Sequence, residues 1–156
     1  MQLSPFARRS YQVLNIKVDV GFYLIIASAV LVIPLKLLLG WLIAVAVHEL
    51  CHYLALRFCN VEVYKLRICV RGVIMDTAPM DNYKELICAL AGPLGGLSLL
   101  LLRHWMPFAA ICGFVHSCYN LLPVPPLDGG RALRCIFVGL CNLKVVEKFL
   151  ANHRNK

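Results

Sequence analysis

The stretch LLLGWLIAVAVHELCHYLALRF, Leu37 to Phe58, decides how this chain is read. Up to Val47 it carries no charge; it then places His48, Glu49 and His52 within five residues and returns to apolar side chains. About 20 apolar residues of helix cross the roughly 30 Å of a bilayer core, so the segment has the length of a membrane crossing. Histidines at i and i+4 lie one above the other on one helix face, where they can share a metal ion, and Glu49 then stands beside that ion without ligating it. Three ionisable groups at that depth are costly without a partner, and a bound zinc ion supplies one. A chance match of this short pattern is the alternative, and the apolar setting weighs against it.

The rest of the chain agrees with a membrane setting. Of the 156 residues, 60% are hydrophobic and 15% charged, whereas soluble domains hold about 45–50% and about 25%. The apolar residues collect into runs at about Val20 to Ile33, Leu37 to Phe58, Leu86 to Leu102 and Trp105 to Val124. The expected fold class is an all-α membrane protein with about four transmembrane helices, forming one membrane-embedded unit over residues 1–156. The polar stretch Met1 to Asp19 is too long for a signal peptide and no small-residue cleavage site follows the first run, so that run is expected to remain.

With both ends on one side of the membrane, every one of the 16 Lys and Arg residues except Lys36 and Arg103 falls on that side. The positive-inside rule makes that side the cytoplasm and the location a cell membrane. Topology thus accounts for the net charge of +8, and no nucleic-acid partner is expected, since one would require basic residues clustered with exposed aromatics. Of the eight cysteines, Cys51, Cys88, Cys112 and Cys118 sit within apolar runs and none forms a Cys-x-x-Cys pair, so they read as small buried hydrophobes.

Between the second and third runs, Tyr64, Leu66, Ile68 and Val70 alternate with Lys65, Arg67, Cys69 and Arg71 before Gly72. This period of two predicts a strand, with Val73 to Met75 returning as its partner in a small β-hairpin. The edge of the Tyr64–Val70 strand is expected to accept an extended substrate. Further on, Arg131 to Leu140 is apolar but too short to span, which predicts an interfacial or packed helix.

A catalytic zinc takes three protein ligands and leaves one position for water. Of the eight acidic residues, all but Glu49 and Asp128 lie in segments that water reaches, which leaves Asp128 as the third ligand. It follows Pro123, Pro125 and Pro126, which forbid a regular helix, and precedes Gly129 and Gly130, which allow close backbone approach. Broken backbone at membrane depth survives only against protein or a watery cavity. An Asp that simply caps a helix starting near Arg131 is the competing reading.

On these residues the chain resembles the site-2 proteases, the intramembrane metalloprotease family, and is most similar to the compact branch that includes the sporulation factor IVFB protease. The resemblance runs from about Val20 to Leu133. It rests on His48-Glu49-Leu50-Cys51-His52, Ala91-Gly92-Pro93-Leu94, and Asn120-Leu121-Leu122-Pro123 leading to Leu127-Asp128-Gly129-Gly130-Arg131. It implies a site-2 protease core, one zinc ion on His48, His52 and Asp128, Glu49 as the catalytic residue and Asn120 near the substrate path. The implied partners are a membrane-protein substrate cut within or next to a transmembrane segment, such as a membrane-associated pro-sigma factor, and a regulatory membrane partner. Cys51 stands where the family often has glycine, Gly96 lies where asparagine is often found, and neither a PDZ nor a CBS domain is present.

His116 precedes Asn120 by one helical turn and shares its face. A hydrogen-bonded structural role, a substrate or oxyanion contact, and a metal contact are the readings open to it. Two other functions compete with proteolysis. A scaffold that keeps the fold would be expected to have lost one of His48, Glu49, His52 or Asp128, and a metal transporter would need polar residues near Lys36 and Arg103 that the sequence lacks.

Overall fold

A computed structural model describes residues 15–69 and 72–154 of the chain. In order they form β1 (Asn15–Val18), α1 (Val20–Val32), α2 (Leu35–Phe58), β2 (Val63–Cys69), β3 (Gly72–Thr77), α3 (Asn82–Ser98), α4 (Pro107–Asn120) and α5 (Asp128–Arg154). A 3-10 segment, Leu99–Leu102, extends α3. The four apolar runs coincide with α1 to α4, and two helices, Leu35–Phe58 and Asn82–Leu102, are long and apolar enough to cross a membrane. The helices α1 and α4 have 13 and 14 residues.

Close approach of small residues sets the helix packing. Gly40 of α2 lies against the backbone of Phe108 and Ala109 in α4, and the His48 ring meets the His116 ring at the same spacing further along both helices. The two helices therefore run in the same direction. Packed against both, α3 runs the opposite way, with Gly95 against Cys51, Gly92 against His52 and Gly96 against Ser117. The largest fully buried side chains are Pro93, Cys135 and Ser117, while Leu31, Phe58, Leu101 and Trp105 are 84–86% exposed. Large apolar groups outside and small ones inside are what lipid, not water, selects, because between helices in lipid it is close van der Waals packing that holds.

The chain leaves α2 through a tight helix-ending turn. Asn60 has a positive φ of 53°, and the amides of Val61 and Asn60 bond to the carbonyls of Leu56 and Arg57, the pattern of a Schellman ending. Val61 and Leu56 are both buried in the small apolar cluster below the turn. This ending aims β2 back across the end of the helical bundle.

The sheet keeps the expected hairpin and corrects the sequence reading beside it. The hairpin of β2 and β3 is present, with Gly72 at φ +108°, a conformation open to glycine, after the turn; Val70 and Arg71 lie outside the described residues. However, β1 pairs parallel with β2, Lys17 beside Arg67 and Ile16 beside Leu66, so the sheet has the order β1-β2-β3. β2 is thus the central strand and has no free edge for a substrate. Four residues of alternating Asn-Ile-Lys-Val are too short for a periodicity signal, and the parallel partner arrives only after α1 and α2 have carried the chain away and back.

The other correction concerns α5, which runs for 27 residues instead of ending near Leu140. Hydropathy falls after Leu140, but Lys144, Glu147 and Lys148 are good helix formers, so the helix continues past the apolar run. Its buried face, Ala132 and Cys135, packs on α3, where the Asn82 amide donates to the Cys135 carbonyl at 2.6 Å.

A Cβ at Gly40 would lie 2.8 Å from the Phe108 carbonyl carbon, closer than backbone permits. Gly40→Val is expected to force α2 and α4 apart and to cost about 1–3 kcal/mol, read as a lower midpoint of chemical unfolding in mixed micelles.

Candidate metal centre

Three side chains from two distant parts of the chain meet where α2, α3 and the start of α5 converge. His48 and His52 are 2% and 9% exposed and Asp128 is 8% exposed. The two Nε2 atoms are 3.0 Å apart, and Asp128 Oδ2 lies 3.1 Å from that of His48 and 3.0 Å from that of His52. A tetrahedral site with bonds of about 2.0–2.1 Å separates its ligand atoms by roughly 3.3 Å. The triangle therefore has nearly the size that one metal ion requires.

The proton arrangement points the same way. His52 Nδ1 lies 2.7 Å from the Cys88 carbonyl oxygen, which only accepts, so Nδ1 carries the hydrogen. In the neutral ring Nε2 then presents its lone pair to Asp128 Oδ2, and two lone pairs at that distance repel unless a cation lies between them. A backbone carbonyl that orients a histidine through its far nitrogen is also the usual support for a metal ligand. Asp128 lies beyond the last apolar run.

The sequence builds this convergence locally. Pro123, Pro125 and Pro126 keep residues 121–127 out of a regular helix, and Cβ atoms at Gly129 or Gly130 would overlap the backbone of Leu121 to Pro125. The chain can therefore fold back tightly and start α5 at Asp128, in whose first turn the helix dipole favours an anion. Both readings of Asp128 thus have a basis, since the residue that joins the triangle also opens the helix.

Glu49 offers no atom to the triangle. The Val73 amide of β3 faces its carboxylate, and a Cβ at Gly72 would lie 4.0 Å from its Oε1. The hairpin thus reaches over the metal-binding face of α2. Beneath it lies a cavity of about 420 Å³ lined by His48, Glu49, His52, Val73 to Met75, Asn120, Leu127, Asp128 and Arg131, among others.

Asn120 lies on the cavity wall and His116 stands behind it. The Asn120 amide donates to the His116 carbonyl at 3.0 Å and lies 3.1 Å from His116 Nε2. The His116 ring packs edge-to-face on His48, with centroids 4.7 Å apart and planes at 79°. Cys51 turns its sulfur toward Gly95 in the contact between α2 and α3. Sequence reasoning missed the Cys88 carbonyl, the Val73 amide and Arg131. The first two are backbone groups with no side-chain signature, and Arg131 is visible in the sequence only as the residue after two glycines.

No family model matches this sequence, and no curated protein matches it. Among solved structures it is similar to the site-2 protease from Methanocaldococcus jannaschii, with a TM-score of 0.59 and 24% identity over 78% of this chain. The match spans 66% of that chain, just under two thirds of its length. The likeness shows a shared fold. The apolar helices and this neighbour together point to a membrane protein, and His48, His52 and Asp128 form a group able to hold a metal ion.

A Cβ at Gly92 would overlap the His52 imidazole. Gly92→Ala is therefore expected to displace this ligand and weaken metal binding by about tenfold or more, with helix content by circular dichroism unchanged. Metal retained after dialysis against a graded chelator checks it.

Proposed function

We propose that this chain is an intramembrane zinc metalloprotease that hydrolyses a peptide bond within or next to a transmembrane segment of a membrane protein. The observation that carries the proposal is the convergence of two histidines and one aspartate in an apolar bundle, with a fourth ionisable group, Glu49, beside them but outside the ligand set. The similar fold of a site-2 protease supports it. His48 Nε2, His52 Nε2 and Asp128 Oδ2 would hold the zinc. Zinc bound there supplies Lewis acidity, which acidifies a water and polarises a carbonyl.

The chain's own residues supply the rest of the chemistry. Glu49 is the general base that takes a proton from the attacking water and then passes it to the leaving amine. Asn120, on the cavity wall, offers its side-chain oxygen to the substrate backbone, its amide nitrogen being held by His116. A helical substrate hides its carbonyls in its own hydrogen bonds and must unwind before any of this can begin.

β3 is placed to hold the unwound segment. Because Val73 turns its amide away from β2 toward Glu49, the alternation of an antiparallel pair turns the Met75 N–H and C=O outward as well. An extended peptide added along this outer edge would recover the backbone hydrogen bonds it lost on unwinding.

In this reading α1 and α4 are the remaining two crossings, completed by flanking apolar residues and by local thinning of the bilayer. Both termini and the site face the cytoplasmic half. The resemblance to the compact, sporulation-type branch of the family extends the proposal, by analogy alone, to a membrane-associated pro-sigma factor as substrate and to a membrane partner that controls access.

Wild type and Glu49→Gln, compared in liposomes with a panel of single-span substrates, test the core of the proposal. Stoichiometric zinc is expected in both, with cleavage lowered in the variant by on the order of 10²–10⁴-fold. Well-folded wild type without zinc would remove the proposal and leave a non-proteolytic scaffold of the same fold. Strand addition has its own test. Proline is tolerated where an edge N–H faces outward, so Met75→Pro is expected to fold and bind zinc but to lose cleavage, while Met75→Ala keeps it. Unchanged cleavage by Met75→Pro would sink the edge-pairing idea alone.

A further inference from the structure

The carboxylate of Asp128 divides its two oxygens. Oδ2 faces His48 and His52, whereas Oδ1 lies 3.5 Å from Nη1 of Arg131, one helical turn further along α5. Nε of the same guanidinium is 3.7 Å from Oε1 of Glu85 in the first turn of α3, and that oxygen also takes Nη2 of Arg134 at 2.5 Å. Arg131 therefore sits between two carboxylates, one belonging to the metal centre and one to a different helix, at the margin of the cavity.

A carboxylate ligand left to itself turns freely about its last bond. It can present one oxygen or both to an ion, or swing toward any nearby cation. A guanidinium has several N–H donors in a rigid fork, so it can hold two carboxylates in fixed relation, which the point charge of a lysine cannot do. Glu85 draws the same guanidinium toward α3, so that Arg131 meets Oδ1 alone and leaves Oδ2 for the ion. Among the described residues these are the ionic contacts that reach the centre from outside it.

We propose that Arg131, oriented by Glu85, is a positioning residue that fixes the Asp128 carboxylate on the metal ion through Oδ1. The proposal rests on the zinc-site reading given above. It assigns Arg131 no contact with substrate. Arg134, which shares Glu85 but does not reach Asp128, serves as the control: its loss weakens the tie between α3 and α5 and leaves the ligand alone.

The test measures zinc affinity by competition with a chromophoric chelator on the full chain in detergent, together with the thermal midpoint of the metal-free protein. Arg131→Gln is expected to weaken zinc binding by about 10–100-fold, Arg131→Lys less, and Arg134→Gln not at all. Glu85→Gln should weaken it too, and the double variant with Arg131→Gln should bind no worse than Arg131→Gln alone, since both act through one contact. The midpoint of the metal-free protein should fall equally in Arg131→Gln and Arg134→Gln.

Zinc held by Arg131→Gln as tightly as by wild type overturns the proposal. So does a loss of affinity shared by Arg134→Gln, which would make the cluster only a fastener between helices. Should Arg131→Gln fail to fold, Arg131→Lys and Glu85→Gln decide the matter by the same affinity readout. Wild type that binds no zinc defeats the metal site itself, an outcome distinct from undiminished binding in the variants.

Discussion

The constraint on which this structure depends is the convergence of three buried ligand atoms inside a bundle of apolar helices. Two imidazole nitrogens and a carboxylate oxygen within 3.0–3.1 Å of each other form a group able to hold a metal ion. Each neighbouring feature makes room for that triangle or completes it. Gly92 clears space for the His52 ring, the Cys88 carbonyl sets its tautomer, and the proline-broken segment after α4 returns the chain so that Asp128 arrives at the depth of His48.

The helices accommodate this centre by an inverted distribution of size. Alanine, glycine, cysteine and serine fill the contacts among α2, α3 and α4, and the bulky side chains face outward. In water such a core would contribute little, because small residues bury little apolar area. Among lipids the balance differs, since the outward leucines lose nothing by exposure and the small residues let backbones come close enough for dispersion contacts. The parallel run of α2 and α4 brings His48 and the end of α4 to one level, and the antiparallel α3 packed against both carries the Cys88 carbonyl to the same level.

The centre was legible in the sequence because its cost was legible. Ionisable side chains in an apolar run need a reason, and His48, Glu49 and His52 at helical spacing supply it without any fold in hand. Asp128 emerged by elimination among few acidic residues and from the prolines and glycines around it. What stayed hidden had no local signal. β1 is four residues whose partner lies beyond two helices, α5 outlasts its apolar run because helix propensity and hydropathy are separate properties, and the Cys88 and Val73 groups belong to the backbone. Even the two departures from the resembled family find a setting only in three dimensions: the sulfur of Cys51 occupies the space that Gly95 leaves open, and Ser117 that of Gly96.

The reassignment of the free edge from β2 to β3 changes the physical argument for the proposed peptide hydrolysis. With β2 enclosed on both sides, its backbone is taken up by β1 and β3, while Lys65 and Arg67 project from the face of the sheet, Arg67 at 3.4 Å from Asp76. β3 instead passes over Glu49, and its outward backbone groups border the same cavity as the three ligands. In the proposed protease, an edge in that position would link the two difficulties of cutting a membrane segment: unwinding would be offset by pairing at the place where the exposed carbonyl has to meet the ion. A strand elsewhere on the surface could offset the unwinding, but it would leave the carbonyl out of reach.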